Sequence, residues 1–214
     1  MVAPNAPSTT VDGLPPDDAR ALERRLREVV RGEVRFDAGT RGLYAHDASQ
    51  YRQIPIGVVV PRDADDVVRA VAACRAAGAP VLTRGGGTSL AGQCCNTAVV
   101  LDFSKSMHHV VDVDPEACTA TVQPGTLLDA LRAAAEPHDL TFGPDPSTHD
   151  RCTLGGMIGN NACGIHALQA EMYGPGARTG DNVVALDVLT YDGLQLRVGP
   201  TPEDELERLC GLPG

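Results

Sequence analysis

Ten residues at positions 84–93, RGGGTSLAGQ, have the composition of a loop that binds an anion. Three consecutive glycines leave the backbone free of Cβ atoms, so several N–H groups can point into one concavity and approach a ligand closely. Thr88 and Ser89 follow them and add two hydroxyl groups. The loop is therefore predicted to hold a phosphate group. The alternative is an ordinary mobile loop, because a single glycine run is weak evidence.

Two better-known phosphate motifs do not fit this loop. The spacing from Gly87 to Gly92 resembles that of a P-loop, but Gln93 and Cys94 stand where that motif requires Lys and Ser or Thr. The lysine and the magnesium-binding hydroxyl of nucleotide hydrolysis are therefore missing, which excludes an ATPase or a kinase. A dinucleotide-binding Rossmann fingerprint also fails, because its glycines open a helix, whereas a strand is predicted after this loop.

Small residues also dominate two later segments, at positions 143–148 and 153–164. The second segment, TLGGMIGNNACG, has four glycines. It also has two adjacent side-chain amides, those of Asn160 and Asn161. Glycines allow a flat ring to lie close to the backbone, and amide and N–H groups can bond to its polar edge. The segments are predicted to hold a planar ligand, and the alternative is a tight structural crossover.

The elements around the glycine loop predict a small parallel lobe. A β-branched run at 56–60, a helix at 64–77 and a second strand at 80–83 form a βαβ unit, whose two strands should be parallel. Asp63 is the expected N-cap of the helix and Gly78 its C-cap. A third strand is predicted after the glycine loop, which therefore connects two strands.

The second half of the chain has the pattern of antiparallel hairpins. Strands at 111–114 and 119–122 form one predicted hairpin, and a helix at 127–135 follows it. Strands at 182–190 and 194–198 form a second predicted hairpin. These elements predict an antiparallel sheet that carries helices.

The predicted fold class is α+β, with two lobes and the ligand bound between them. Residues 36–107 form the first, parallel lobe, and residues 108–214 form the second, antiparallel lobe. Residues 1–35 contain a flexible arm at 1–16, rich in Pro, Ser and Thr, and an N-terminal helix at 17–30.

The overall charge limits the classes of partner. The chain carries 18 Lys and Arg against 28 Asp and Glu, a net charge of −10, and has no basic patch. Binding to nucleic acid is not expected, because it requires clustered Lys and Arg to neutralise phosphates. An anionic ligand must instead be met locally, by backbone N–H groups and one or two arginines. No apolar run approaches the ~18 residues of a membrane span, so none is expected.

The cysteines and the N-terminus indicate a reducing compartment. Seven cysteines, an odd number, suit free thiols, and no signal or transit peptide is evident, so the cytoplasm is the expected location. No two cysteines have CxxC spacing. Neither a metal site nor an iron–sulfur cluster is expected within this chain.

Three motifs in a fixed order resemble a known family. They are VVVPRDADDVVRAVAACRAAGAPVLTRGGGTSLAG, GPDPSTHDRCTLGGMIGNNACG and DNVVALDVLTYDG, and the resemblance covers about residues 40–200. The chain resembles the FAD-binding domain of FAD-linked oxidases of the para-cresol methylhydroxylase type. It is most similar to the bacterial D-lactate, glycolate and D-2-hydroxyglutarate dehydrogenases, in the long forms fused to an iron–sulfur module. FAD is the cofactor that this resemblance implies.

The resemblance also implies which residues contact FAD. It assigns the start of the glycine loop to the diphosphate and the end of the loop to the space beside the ring. Pro144, Asp145 and Ser147 are assigned to the approach to the isoalloxazine ring, and residues 153–156 to its near side. Residues 160–164 are assigned to the ribityl chain and diphosphate, and the backbone around 183–184 to adenine. The implied cofactor-binding residues are Arg84, Gly85, Gly86, Gly87, Thr88, Ser89, Gly92, Gln93, Pro144, Asp145, Ser147, Thr153, Leu154, Gly155, Gly156, Asn160, Asn161, Ala162, Cys163, Gly164, Val183 and Val184.

FAD is expected to be bound without a covalent bond. Relatives that tether flavin often have His in the glycine loop where this chain has Thr88, and Cys152 lies one residue from the place where some relatives use a thiol. No residue is assigned as catalytic. His149 and His166 flank the expected ring site and could tune it, and the alternative is that they are ordinary surface histidines.

The implied function is that of an FAD-dependent oxidoreductase acting on CH–OH groups. The chain would be the FAD-binding domain of a flavin dehydrogenase that oxidises a 2-hydroxy acid such as D-lactate, glycolate or D-2-hydroxyglutarate and passes electrons to another acceptor. In the family a cap domain binds the substrate, and neither this domain nor a cysteine-rich module is recognisable here. The second lobe is therefore expected to be truncated, with the cap and an iron–sulfur acceptor supplied elsewhere. The alternative is a truncated, catalytically inactive FAD-binding module.

Overall fold

A four-stranded sheet forms the centre of the first lobe in the computed structural model, which describes residues 14–211. Most of the predicted N-terminal arm lies outside the described residues. The helices and strands of this lobe are α1 (Pro16–Val29), β1 (Glu33–Arg35), α2 (Ala38–Leu43), β2 (Gly57–Val60), α3 (Ala64–Ala76), β3 (Val81–Arg84) and β4 (Val99–Asp102). Strand β1 and helix α2 are not predicted by the sequence, because three and six residues are too few to show a hydrophobic period.

The sheet has the strand order β1-β2-β4-β3. Strands β2 and β3 each pair with β4 in parallel, which confirms the predicted parallel arrangement and inserts the third strand between the first two. Strand β1 pairs with β2 in the antiparallel direction and forms one edge. Arg84 and Asp102 are the last residues of β3 and β4 and lie opposite each other. The loop after β3 therefore leaves the sheet at the carboxyl ends of these parallel strands.

Helix α3 covers this sheet as its sequence predicts. The Asp63 side chain accepts a hydrogen bond from the backbone N–H of Asp66, as an N-cap does, and Gly78 has a φ of +65° just after the last turn. Val71 and Cys74 are buried against the strands. Helix α1 packs on α3 and adds Leu22 and Leu26 to the same hydrophobic core. Residues 16–35 therefore pack with the first lobe.

A buried carboxylate joins α3 to the turn after α1. Asp66 has no exposed surface and accepts hydrogen bonds from the backbone N–H groups of Arg31, Gly32 and Arg62 at 3.0, 2.9 and 3.0 Å. Burial opposes the ionisation of Asp66, but these hydrogen bonds outweigh it and hold its pKa below the ordinary value. The carboxylate is therefore charged at neutral pH and fixes the position of α1 on the sheet.

The second lobe contains two antiparallel hairpins and several short helices. Its elements are β5 (Val110–Asp114), β6 (Thr119–Val122), α4 (Leu128–Ala135), α5 (Leu154–Asn160), α6 (Ala167–Tyr173), β7 (Leu186–Leu189), β8 (Gln195–Val198) and α7 (Glu203–Cys210). Both predicted hairpins form, but within residues 14–211 they are two separate two-stranded sheets. No helix in that range has the length and apolar composition of a membrane span.

The predicted strand that starts at residue 182 is shorter in the structure. Residues 179–182 form a 3₁₀ turn, and β7 starts only at Leu186. Asn182 explains this difference, because its side-chain amide donates hydrogen bonds to the carbonyl oxygens of Gly176 and Arg178 and holds the turn together. Helix α5 is not predicted, because glycines at three of its seven positions give the segment a low helix propensity.

The Asp66→Asn variant should lose about 2 kcal/mol or more of unfolding free energy, because an amide cannot accept from all three N–H groups as the carboxylate does. The lowered pKa means that the carboxylate's contribution is present above the pKa of an unfolded Asp and is lost as the pH falls through the native value. Urea unfolding at neutral and acid pH measures the difference between the two proteins, which should shrink in acid.

Asp65→Asn is the matched control, since its side chain lies on the same helix and is 71% exposed. It should change the unfolding free energy by less than about 0.5 kcal/mol. An equal loss in both variants would show that the buried hydrogen bonds of Asp66 contribute nothing particular.

Candidate functional site

The glycine loop presents unengaged backbone N–H groups at the edge of the first sheet. In the described part of the chain, no hydrogen bond is donated by the backbone N–H groups of residues 85–89. Gly87 has a φ of +64°, a backbone conformation that turns the loop and that glycine adopts without strain. A run of free N–H groups in a turned backbone is the arrangement that binds phosphate oxygens. The loop therefore fits a diphosphate.

Arg84 lies beneath the loop and does not extend from it. Its Nη1 donates weakly to the backbone carbonyl oxygens of Tyr44 and Cys94, at 3.4 and 3.3 Å. Its guanidinium carbon lies 5.4 Å from the centre of the Tyr44 ring. A Cβ atom placed on Gly87 would lie 2.5 Å from Arg84 Nη2, so the guanidinium group supports the turn of the loop. In this position the side chain shapes the loop.

A half-buried tyrosine, Tyr44, holds this support in place. The Tyr44 hydroxyl donates to Asp102 at 2.5 Å, and the same carboxylate accepts from the backbone N–H and hydroxyl of Ser104. Burial raises the pKa of Tyr44 well above its ordinary value, and the hydrogen bond to Asp102 raises it further. Tyr44 therefore remains a protonated donor and links α2 to the end of β4, next to the glycine loop.

Residues 44–52 form the outer wall of the glycine loop, although no sequence motif indicates them. The backbone N–H of Ala48 donates to the carbonyl oxygen of Gly87 at 3.0 Å. The Asp47 carboxylate accepts from the backbone N–H of Cys94 at 3.2 Å. These contacts come from a segment without regular structure apart from one bridge, so only the folded chain could identify them.

The end of the loop contacts residues of the first lobe. A Cβ atom on Gly92 would lie 2.9 Å from the ring of Tyr51, in the first lobe. The Gln93 side-chain oxygen accepts from the backbone N–H of Ala91 at 3.1 Å. In the described residues, neither Gly92 nor Gln93 forms a hydrogen bond with the second lobe. Their predicted place beside the ring remains a prediction.

The start of the loop packs directly on the second lobe. A Cβ atom on Gly85 would overlap the Thr153 hydroxyl, and one on Gly86 would overlap the backbone carbonyl oxygen of Arg151. Two of the segments predicted from the sequence are therefore brought together. The sequence attributes these glycines to a ligand, but the structure requires them because protein atoms lie where their side chains would be.

The first turn of α5 has no spare N–H groups. The N–H groups of Leu154 and Gly155 donate to backbone carbonyl oxygens at positions 126 and 124, at 2.8 and 2.9 Å. The N–H of Gly156 lies 3.4 Å from the Thr153 hydroxyl, which caps the helix. These residues can line a ligand, but their N–H groups are already used. This result favours the crossover interpretation for this part of the segment.

Residues 160–164 are fixed by the turn that precedes Val183. The Asn161 side-chain oxygen accepts from the backbone N–H of Gly180 at 2.8 Å. The carbonyl oxygen of Ala162 accepts from both the N–H and the hydroxyl of Thr179, at 2.8 and 2.7 Å. The structure therefore brings the segment assigned to the ribityl chain close to the segment assigned to adenine.

The remaining residues of these segments are mostly exposed. Asn160 donates its side-chain amide to the carbonyl oxygen of Gly156 at 3.2 Å, and Cys163 and Ser147 are exposed. Val184 is 60% exposed. The backbone N–H groups of Cys163 and Gly164 donate no hydrogen bond within the described residues. They are the free donors that this segment offers.

Asp145 joins three parts of the second lobe. Its carboxylate accepts from Arg132 Nη1 at 2.7 Å and lies 2.6 Å from His166 Nδ1. Burial opposes its ionisation, but the hydrogen bonds from Arg132 and His166 outweigh burial and hold the pKa of Asp145 below its ordinary value. A Cβ atom on Gly164 would overlap the Asp145 carbonyl oxygen. Arg132 also donates to the carbonyl oxygen of Pro144, at 3.2 Å.

His149 is held in a similar way, with its Nδ1 2.8 Å from the carboxylate of Asp129. A carboxylate on Nδ1 fixes the orientation of an imidazole ring and leaves Nε2 for another partner. Both histidines that the sequence places near the ring therefore have a carboxylate partner. Residues 14–211 contain no group of three His, Cys, Asp or Glu side chains placed to hold a metal ion.

The glycine loop, which fits a diphosphate, connects two parallel strands, and a glycine-rich second lobe packs on it. This arrangement is that of a flavin-binding domain of the α+β class. The chain belongs to the FAD binding domain family, which matches residues 55–199. FAD is therefore its cofactor. The resemblance inferred from the three motifs is confirmed.

Solved structures have the same fold. P-cresol methylhydroxylase with substrate bound superposes with a TM-score of 0.71 and 18% identity, over 94% of this chain and 38% of that chain. Alkyldihydroxyacetonephosphate synthase gives a TM-score of 0.69 and 21% identity, over 92% of this chain and 41% of that chain. The predicted two-lobed α+β fold of the para-cresol methylhydroxylase type is confirmed.

Curated relatives are similar over most of the chain but are much longer. D-2-hydroxyglutarate dehydrogenase of Pseudomonas putida is 36% identical over 90% of this chain and 19% of the relative. Glycolate oxidase subunit GlcD of Bacillus subtilis is 38% identical over 79% of this chain and 36% of the relative. D-lactate dehydrogenase [cytochrome], mitochondrial, of Kluyveromyces lactis is 29% identical over 78% of this chain and 28% of the relative. The matched part is about a fifth to a third of these proteins.

The Gly86→Ala variant should lose about 1–3 kcal/mol of unfolding free energy even without flavin, because the new Cβ atom meets the Arg151 carbonyl oxygen and the backbone must shift. Urea unfolding of the flavin-free protein measures this loss. Gly42→Ala is the control, since a Cβ atom there meets nothing within 4 Å. It should leave stability unchanged or raise it by up to about 1 kcal/mol. Equal stabilities of the two variants would contradict the packing of the loop on the second lobe.

Proposed function

We propose that this chain is the FAD-binding part of a flavin dehydrogenase that oxidises a 2-hydroxy acid and passes the electrons to another acceptor. The observation that carries the proposal is the run of free N–H groups in residues 85–89, packed against a glycine-rich second lobe. The substrate class follows the relatives, whose names specify D-2-hydroxyglutarate, glycolate and D-lactate. All three are small 2-hydroxy acids.

In this proposal, FAD lies between the first lobe, residues 36–107, and the second lobe, residues 108–214. When bound, FAD supplies a flavin N5 that accepts a hydride. The N–H groups of residues 85–89 bind the diphosphate, and those of Cys163 and Gly164 bind further along the cofactor. Asp145 holds the loop before the ring through Arg132 and His166.

The groups that position the substrate are proposed to lie outside the described residues. The matched part covers 19% of the Pseudomonas putida dehydrogenase and 36% of the Bacillus subtilis subunit, so most of each relative has no counterpart here. A cap domain and an iron–sulfur electron acceptor, supplied elsewhere, would complete the enzyme. This division assigns cofactor binding to the residues described and substrate binding to the proposed cap domain.

FAD is proposed to bind without a covalent link to the chain. Thr88 has no side-chain nitrogen with which to attach the flavin. Cys152 is 5% exposed, and its burial raises the pKa of the thiol, so little thiolate is available for attack. All seven cysteines lie within the described residues and are free thiols, which supports the cytoplasm as the proposed location.

The purified chain, supplied with FAD, should show the absorption spectrum of bound flavin, and acid precipitation should release all of it into the supernatant. The reason is that the loop binds the diphosphate through hydrogen bonds, which denaturation destroys. Flavin that stays with the pellet would reveal a covalent link, which Cys152→Ser would then locate. A chain that binds no FAD at any concentration would contradict the proposed function.

Dithionite should bleach the flavin bound to this chain, whereas D-lactate, glycolate and D-2-hydroxyglutarate should bleach it slowly or not at all under anaerobic conditions. Hydride transfer requires the Cα–H held near N5 while a base takes the hydroxyl proton. Spectra recorded over time measure both reactions. Rapid bleaching by one of the acids would place the substrate site in this chain, and His149→Gln and His166→Gln would then identify the base.

A further inference from the structure

The negative charge of the chain opposes the binding of an anion at the glycine loop. The diphosphate of FAD is dianionic, whereas the chain has a net charge of −10. The carboxylates of Asp47 and Asp102 also hold the backbone on either side of the loop. Burial opposes the ionisation of Asp47, but hydrogen bonds from Ser49 and Cys94 outweigh it and hold its pKa below the ordinary value. Free N–H groups supply only partial charges, so a nearby cation would strengthen the binding of the diphosphate.

The arginine within the loop is not free to act as that cation. Arg84 donates to the carbonyl oxygens of Tyr44 and Cys94 and lies over the Tyr44 ring. To reach a phosphate on the open side, it would have to leave these partners and the underside of Gly87. Its contacts are those of a residue that shapes the loop.

Arg151 is in contact with the same loop from the opposite lobe. Its backbone carbonyl oxygen occupies the space where a Gly86 side chain would be. The turn that carries Arg151 is fixed, because its N–H donates to the Thr148 carbonyl oxygen at 2.8 Å. Its side chain is 77% exposed, and its one ion pair, Nε to Asp150 at 3.2 Å, involves a partner that is itself 51% exposed. An ion pair in solvent is worth little, so Arg151 can exchange it for a better partner.

We infer that Arg151 supplies the positive charge with which the glycine loop holds the diphosphate of FAD, while Arg84 positions the loop from below. The inference rests on the proposed binding of FAD and names a residue that is absent from the FAD contacts implied by the resemblance. A guanidinium group can donate two parallel hydrogen bonds to one phosphate. Because Arg151 belongs to the second lobe and the N–H groups to the first, the diphosphate would also join the two lobes.

Arg151→Gln should raise the dissociation constant for FAD about tenfold, the effect of losing one hydrogen bond between charged groups in an exposed site. It should leave the affinity for riboflavin, which has no phosphate, unchanged. The affinity for FAD should also depend less on salt than in the unchanged chain, because salt screens the attraction that the variant lacks. Quenching of flavin fluorescence measures all three quantities. Arg151→Lys should restore part of the affinity.

Arg20→Gln is the matched control, because Arg20 lies on α1, is 66% exposed and pairs with an exposed carboxylate, that of Asp17. It should bind FAD as the unchanged chain does. Inorganic pyrophosphate provides a second readout without flavin: it should compete with FAD for the unchanged chain and compete less well for Arg151→Gln.

Two results would overturn this inference alone. The first is an unchanged FAD affinity in Arg151→Gln, and the second is an equal loss of affinity for FAD and for riboflavin, which lacks the diphosphate. Urea unfolding checks that Arg151→Gln is as stable as the unchanged chain, as we expect for an exposed side chain. If the unchanged chain binds neither FAD nor riboflavin, the proposed function fails and the inference fails with it.

Discussion

Close packing between the glycine loop and residues 151–153 is the contact on which the candidate site depends. Gly85 and Gly86 have no side chains, and the Thr153 hydroxyl and the Arg151 carbonyl oxygen occupy the space that a Cβ atom would need. A larger residue at either position would push the two segments apart. The contact therefore places the free N–H groups of the first lobe beside the glycine-rich segment of the second, which is the geometry that a cofactor lying between two lobes requires.

The hydrogen bonds divide the small residues into two groups. Those of α5 donate their N–H groups to carbonyl oxygens of the second lobe, so Leu154 and Gly155 contribute to the structure of the lobe. Those of residues 85–89 and of Cys163 and Gly164 donate to no other residue of the described chain, so they can bind a ligand through their backbone. The same residue composition therefore has a structural role in one segment and a binding role in the other.

The charged residues show a similar division. Asp66, Asp102 and Asp145 accept hydrogen bonds from several donors, so these carboxylates hold elements together and are satisfied without a ligand. Arg84 is likewise occupied by carbonyl groups of the first lobe. These carboxylates keep their negative charge, so an acidic domain can bind an anionic cofactor only where local donors determine the potential at the loop.

The sequence by itself determined the parts that depend on neighbouring residues. The helix α3 with its N-cap at Asp63, both hairpins and the glycine loop were predicted, because capping, periodicity and the lack of Cβ atoms act over a few positions. The three motifs predicted the family. Only the tertiary structure decided which N–H groups remain free and where Arg84 lies, since its carbonyl partner at Tyr44 is 40 positions away. Hydrogen bonds between distant residues leave no local pattern, because they are set by how the elements pack.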